Sequence, residues 1–221
     1  MQSKSYRSKF FHGPSQEKEH SILARNLGMG ILLLFLALPA QVQGQAAYAE
    51  YFGESLRINN IGMVVLGSWA LANITTGAYG WSQYSGQRSY FHQMNLFWNT
   101  VNLSIAGFAL YSTLSSDYSL LAGSEMLEKQ WKTQRFYLIN AALDVGYVAT
   151  GFLLKHLATK YPKNEFRLRG YGNSVILQGS FLFVFDLVMY GILRSFRSDF
   201  LQQVSLAPMQ DAWGLSLTLS L

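Results

Sequence analysis

The chain has 221 residues, of which 50% are hydrophobic and 13% charged, and it contains no cysteine. The charged share is about half that of an average globular protein, which points to a membrane protein. The missing cysteines exclude disulfides, thiolate metal sites and cysteine nucleophiles. The net charge of +5 does not indicate nucleic-acid binding, because the basic residues gather in an N-terminal lead and one later loop rather than among stacking aromatics.

The N-terminus has the features of a signal peptide. Residues 1–27 form a polar, basic lead, and the apolar run GMGILLLFLALPA follows. This run is shorter than the roughly 20 residues of a membrane span but has the length of a signal-peptide core. Val42 and Gly44 fit the small-residue cleavage pattern, which would make Gln45 the first mature residue. We therefore predict a signal-peptide-like segment at 28–44; the alternative is a short retained anchor.

Four longer apolar segments follow, each able to cross a hydrocarbon core of about 30 Å as a helix. The stretches between them are short, so consecutive helices should be antiparallel. We predict an all-α fold, a four-helix transmembrane bundle within residues 45–195, and an extracytoplasmic tail at 196–221. The predicted spans are 58–79, 93–114, 136–155 and 174–194.

The distribution of basic residues predicts the orientation. The loop 155–173 is rich in lysine and arginine, as cytoplasmic loops are. The mature N-terminus and the C-terminus would then both lie outside a bacterial cytoplasmic (inner) membrane. This orientation depends on the basic lead, because the other lysines and arginines divide evenly between the two sides. The expected partners are the lipid bilayer and, as further candidates, other membrane proteins or a second copy of the chain; no nucleic acid is expected.

The C-terminal sequence GLSLTLSL, residues 214–221, alternates between leucine and small or polar residues. Such a period of two predicts a β-strand. A transmembrane barrel would need about eight strands or more, and the four helix-length apolar segments do not favour one. We therefore predict a short extracytoplasmic strand at the end of the chain.

Polar residues recur at helical spacing within the predicted spans. Asn140, Asp144 and Tyr147 share one face of the third span, and Asn95, Asn99 and Asn102 repeat that spacing in the second. Lipid cannot satisfy such groups, so we predict that they face inward as a buried network or an ion or proton site. The candidate members are Trp69, Asn73, Trp98, Asn99, Asn102, Asn140, Asp144, Tyr147, Gln178, Asp186 and Tyr190.

Asp144 and Asp186 are the ionisable members of this set. Each lies eight residues from the external end of its span, in adjacent antiparallel helices. Both should therefore lie roughly 12 Å below the same surface. Two carboxyl groups at one depth cannot both ionise cheaply, so at least one should be protonated. Such a pair can carry protons, bind a cation, or join helices by hydrogen bonds.

Two classes of function follow. The first is a structural or interaction protein whose buried hydrogen bonds hold the bundle together. The alternative is a small proton- or cation-coupled transporter, or a ligand-binding membrane protein, that uses Asp144 and Asp186. No catalytic residues, cofactor or metal site are predicted. His92 and His156 lie at span ends rather than facing each other at depth, and GYGN (170–173) lacks the lysine of a phosphate loop. An enzyme is not indicated.

Three stretches carry a resemblance to a known family: YFHQMNLFWNTVNLSIAG (90–107), NAALDVGYVATG (140–151) and RGYGNSVILQGSFLFVFDLVMY (169–190). Together they resemble an uncharacterised bacterial family of four-span membrane proteins, typical of Bacteroidota and known as a domain of unknown function. The resemblance covers roughly residues 50–195. It implies an integral membrane protein, and it supplies no activity, cofactor or catalytic residue.

Overall fold

The computed structural model describes the backbone of residues 15–206 and the side chains of residues 44–204. The chain divides into two compact units, one ending at Ala47 and one beginning at Tyr48. The predicted signal-like segment belongs to the first unit, and its side chains up to residue 43 lie outside the described part. The first 14 residues of the basic lead and the predicted strand at 214–221 also lie outside it. The boundaries predicted there stay predictions, and all contacts described below belong to the second unit.

Helices make up nearly all of the described backbone. They are α1 (Ser15–Gln83), α2 (Gly86–Ser115), α3 (Gly123–Lys160) and α4 (Glu165–Leu206), with one 3₁₀ turn at Pro162–Asn164. Between residues 15 and 206 there is no strand. The all-α prediction is confirmed for this part of the chain.

The connections between helices follow from local chemistry. Only Tyr84 and Ser85 separate α1 from α2, and the reversal places Gly86 at a φ of 61°, a conformation that glycine adopts without strain. At the start of α3 the carboxylate of Glu125 accepts a hydrogen bond of 3.0 Å from the backbone N–H of Ala122. At the end of α3, Pro162 has no N–H to continue the helix. The chain turns there, and α4 runs back antiparallel to α3.

The helices are longer than the predicted spans. α3 begins at Gly123 and α4 continues to Leu206, whereas the apolar windows predict 136–155 and 174–194. An apolar window detects only the part of a helix that can lie in lipid, and polar turns extend beyond it. Ion pairs one turn apart support these extensions, Glu128 with Lys132 at 2.7 Å and Glu165 with Arg169 at 2.9 Å.

α3 and α4 pack along a seven-residue repeat. A side chain at Gly179 would touch the backbone of Asp144 and the side chains of Tyr147 and Val148, and Gln130 Nε2 donates to the Leu193 carbonyl at 3.1 Å. A strict seven-residue period is that of helices crossing at about 20°, as in antiparallel coiled coils. The buried positions that repeat every seven residues are Gly123, Gln130, Tyr137, Asp144, Gly151 and Ala158 in α3 and Gly172, Gly179, Asp186, Leu193 and Phe200 in α4.

α2 is polar on the face that it buries in the bundle and apolar on the face that it exposes. The buried residues of α2 are Asn95, Asn99, Asn102 and Ala106, which is the polar stripe of its sequence. Its outward face carries exposed apolar side chains instead, among them Val101, Ile105, Phe108 and Leu114. A helix of a water-soluble bundle shows the opposite arrangement. The distribution therefore suits an apolar surrounding.

In the part of the chain whose side chains the structure describes, three helices are long and apolar enough to cross a membrane, which indicates a membrane protein. The segments are Gly44–Gln83, Gly123–Lys160 and Pro162–Val204. α2, which contains the predicted span 93–114, is not among them. Its buried asparagines lower the mean hydropathy, although the side chains that it exposes are largely apolar.

Candidate functional site

A cluster of amide side chains joins α1, α2 and α4 around Gln178, which is fully buried. Gln178 accepts a hydrogen bond of 2.9 Å from the Trp69 indole and donates to the side-chain oxygens of Asn73 and Asn95 at 3.2 and 3.0 Å. The Ser174 hydroxyl donates to the same Asn95 oxygen at 2.6 Å. We call Trp69, Asn73, Asn95, Ser174 and Gln178 the amide cluster.

The side chains of the amide cluster form their hydrogen bonds with one another and with nearby backbone carbonyls. Asn73 Nδ2 donates to the Trp69 carbonyl at 2.9 Å, and Asn99 Nδ2 donates to the Asn95 carbonyl at 2.8 Å. Asn102 joins its edge through a longer contact of 3.4 Å to Asn99 Oδ1. Because these groups satisfy one another, the cluster can hold three helices together without a ligand.

Asp144 and Asp186 form a second polar group, one that lies apart from the amide cluster. Both are buried, with exposed fractions of 2% and 5%, and the two carboxyl groups lie close enough to interact. Two buried carboxyl groups this close cannot both ionise cheaply, so at least one should carry a proton. In the described part of the chain, no side-chain hydrogen bond connects this pair to the amide cluster. We call Asp144 and Asp186 the carboxyl pair.

The carboxyl pair lies at the floor of a groove of about 700 Å³. α4 packs closely against both α2 and α3, but the backbones of α2 and α3 stay farther apart. The space between them is the groove. α2 and α3 supply its walls, and Met63 and Leu66 of α1 complete the floor with Leu182 and Phe185 of α4.

The walls of the groove are apolar and open outward. Val101 and Ile105 on α2 and Leu143 on α3 line the groove and are each about half exposed. Trp98 and Tyr147 face each other across it, with ring centroids 4.9 Å apart and an edge-to-face angle of 89°. The groove is therefore a lateral opening with an aromatic pair beside a buried acidic floor.

The predicted site residues divide among these places. Trp69, Asn73, Asn99 and Gln178 belong to the amide cluster or its edge. Tyr190 lies elsewhere: it is half-buried and does not line the groove, and its hydroxyl accepts a hydrogen bond of 3.3 Å from exposed Arg194. The predicted residues that line the groove are Trp98, Asn102, Asn140, Asp144, Tyr147 and Asp186.

Sequence reasoning missed several members of both groups. Asn95 belongs to the polar stripe of α2 but was not among the candidate site residues. Ser174 was missed because it belongs to none of the polar stripes identified in the sequence. Tyr137 lines the groove and donates a hydrogen bond of 2.7 Å to Asn59 Oδ1. The seven-residue spacing between Tyr137 and Asp144 is the signal that could have identified Tyr137.

The carboxyl pair does not have the donor set of a metal centre. Residues 44–204 contain no group of three or more histidine, cysteine or acidic side chains placed to hold a metal ion. His92, which the sequence analysis considered as a ligand, stacks on Tyr84 with ring centroids 5.4 Å apart and packs against Gly80.

Comparison with known proteins gives one match. The model of a family of unknown function, DUF6992, matches residues 65–187, which is more than half of the chain. The chain belongs to the DUF6992 family. The resemblance to an uncharacterised family is thereby confirmed. The match includes the carboxyl pair and the whole amide cluster, and the DUF6992 family brings no described activity to them. No curated protein and no solved structure matches the chain.

Proposed function

We propose that this DUF6992 protein crosses a bacterial cytoplasmic membrane four times and binds a small molecule from the bilayer at the carboxyl pair. The amide cluster would hold the bundle together, and the groove would be the functional site. The proposal thus combines the two classes of function considered from the sequence. The bacterial origin follows from the sequence resemblance.

α2 supports a fourth span through the way it satisfies its polar groups. Its asparagines are buried against α1 and α4, and its outward hydroxyls are bonded within the helix. Thr100 and Ser104 donate to the carbonyls of Leu96 and Thr100 at 2.9 and 2.8 Å. Polar groups that face lipid must be satisfied internally. At 30 residues and about 1.5 Å per residue, α2 is also long enough to cross the bilayer.

The orientation can be tested with single cysteines, because the chain has none of its own. We expect a cysteine at exposed Lys160 (K160C) to react with a membrane-impermeant maleimide only in inverted vesicles. The matched control is Leu120→Cys in the exposed loop before α3, which should react only in intact cells. The reversed result would invert the topology, and labelling of both cysteines from one side would mean that α3 does not cross the membrane.

One observation carries the functional proposal: a buried carboxyl pair lies at the floor of an open groove while the neighbouring amide cluster is already satisfied. Oδ2 of Asp144 is buried and accepts no hydrogen bond from any N–H or hydroxyl group in the described part of the chain. Buried polar atoms are normally bonded. A carboxyl oxygen without a donor, beside a space of about 700 Å³, is suited to receive a ligand.

Replacing both carboxyl groups by amides separates the functional from the structural role. In the double variant Asp144→Asn, Asp186→Asn, one amide can donate to the other, so we expect the free energy of unfolding to stay within about 1 kcal/mol of that of the parent protein. We also expect the parent protein, purified in nanodiscs, to retain a small molecule that native mass spectrometry detects and that the double variant lacks. Strong destabilisation of the double variant, with no molecule bound to the parent, would assign the pair a structural role.

A further inference from the structure

We infer that the ligand of the groove is a lipophilic organic ammonium ion, which enters sideways between α2 and α3 with its charged group at the carboxyl pair. This inference rests on the proposed function and adds the chemical class of the ligand. Three features of the groove lead to it: the charge of the floor, the aromatic side chains beside it, and the apolar, laterally open walls.

A carboxyl pair that shares one proton would give the floor of the groove a negative charge, and no basic side chain that lines the groove is paired with it. A proton shared by two carboxyl groups leaves the pair with one negative charge. Lys132 is the basic residue among those that line the groove, and it is exposed and already paired with Glu128 at 2.7 Å. The nearby Tyr137 hydroxyl donates to Asn59 rather than to a carboxyl oxygen. A buried charge without a partner is costly, so a cationic ligand would stabilise the site.

The aromatic side chains select an organic cation over a metal ion. Trp98 and Tyr147 line the groove together with Phe136 and Phe185. The faces of such rings attract organic cations, and aromatic groups beside a negative charge are a known means of ammonium recognition. Calcium would require six to eight oxygen ligands. The carboxyl pair and the neighbouring amides of Asn102 and Asn140 offer at most six oxygens, the lowest number in that range, and a proton shared by the two carboxyl groups reduces the number further.

The walls of the groove determine the chemistry of the part of the ligand that carries the ammonium group. Val101, Ile105 and Leu143 present apolar surface that continues from the groove to the outside of the bundle. A ligand whose ammonium group lies at the floor would therefore have an apolar body that contacts these side chains and extends toward the lipid. Burial of that body contributes about 25 cal/mol per Å² of apolar surface. An amphipathic amine combines these properties.

Three probes with the same ring system test the inference: 1-pyrenemethylamine, 1-pyrenemethanol and 1-pyrenecarboxylic acid, which are cationic, neutral and anionic at pH 7. Their fluorescence anisotropy would be measured with the full chain in phosphatidylcholine nanodiscs, against empty nanodiscs. We expect saturable binding of the amine that is at least about tenfold tighter than that of the alcohol, and weaker binding still of the acid, because the charge of the floor favours the cation.

Two variants, each with a matched control, test whether the amine binds at the carboxyl pair and in the groove. The double variant Asp144→Asn, Asp186→Asn should bind the amine no better than the alcohol, whereas Asp117→Asn, the same chemical change in an exposed loop, should leave binding unchanged. Val101→Trp should block the groove without touching the carboxyl groups. Its control is Val184→Trp, at an exposed position of α4 that does not line the groove, which should bind normally.

Two results would overturn the inference. If the alcohol or the acid bound as tightly as the amine, and Val101→Trp abolished that binding, the groove would be a ligand site without cation selectivity; the proposed function would then stand and the inference would fail. If no probe bound above the level of empty nanodiscs, the inference would also fail, and the retained molecule in native mass spectrometry would decide the proposed function separately.

Discussion

Gly151→Leu is expected to disrupt the α3–α4 pair. A Cβ at this position would lie 2.6 Å from Ile176 Cγ1, 2.8 Å from the Gly172 carbonyl oxygen and 3.0 Å from the Ile176 backbone nitrogen. Two of these atoms belong to the backbone, so the helices must separate to admit a side chain. We expect a loss of about 3 kcal/mol in the free energy of unfolding, the upper end of the usual cost of overpacking. Thermal unfolding in detergent, followed by circular dichroism, would measure it.

Gly146→Leu is the matched control for this prediction. Gly146 lies in the same helix, but a Cβ there would meet no atom within 4 Å. Leucine is a better helix former than glycine by up to about 1 kcal/mol, so this variant should be as stable as the parent protein or slightly more so. Equal stability of the two leucine variants would contradict the close approach of α3 and α4 at Gly151 and Gly172.

Gln178→Leu is expected to have the second large effect. Leucine fills a similar volume but leaves the Trp69 indole N–H without its acceptor and removes the donor to Asn73 and Asn95. Hydrogen bonds between membrane helices contribute about 0.6–1.7 kcal/mol each. The loss of three such bonds predicts about 2–5 kcal/mol of destabilisation. Steric-trapping measurements of unfolding in bicelles would test it.

Gln83→Leu makes the same chemical change outside the amide cluster. Gln83 is exposed at the end of α1, and its amide bonds only to the neighbouring Ser82 at 3.3 Å. Its replacement should change stability by no more than about 0.5 kcal/mol. Gln178→Leu should also add to Asp144→Asn without coupling, because the two groups share no hydrogen bond. A coupling energy above about 1 kcal/mol would show that the carboxyl pair and the amide cluster form one network.

Much of the local structure could be predicted from the sequence. Apolar segments of helix length predict helices, since a chain in lipid must satisfy its backbone within each segment, and α1, α3 and α4 are apolar enough to cross a membrane. The spacing of Asn95, Asn99, Asn102 and Ala106 also identifies the buried face of α2. Both predictions, the helices and the buried face of α2, depend on the period of the helix and on hydropathy, which are local properties of the sequence.

The ends of the helices could not be predicted in this way. Hydropathy marks where a helix can meet lipid, but α3 and α4 extend beyond their apolar windows through turns that ion pairs such as Glu128–Lys132 support. The position of Tyr190 was also not predictable from spacing. A side chain near the edge of a stripe points inward or outward depending on the neighbouring helix, and Tyr190 bonds to the exposed Arg194.

The sequence by itself determined that the apolar segments are helical, that their polar residues share faces, and that Asp144 and Asp186 lie at one level in antiparallel helices. Only the tertiary structure decided how those polar residues divide. Gln178 meets Trp69, Asn73 and Asn95 because α4 packs against α1 and α2 as well as α3. The carboxyl pair faces a groove because the backbones of α2 and α3 stay apart. Helical periodicity fixes the angle at which a side chain leaves its own helix, but the choice of neighbouring helices depends on contacts between residues far apart in the chain.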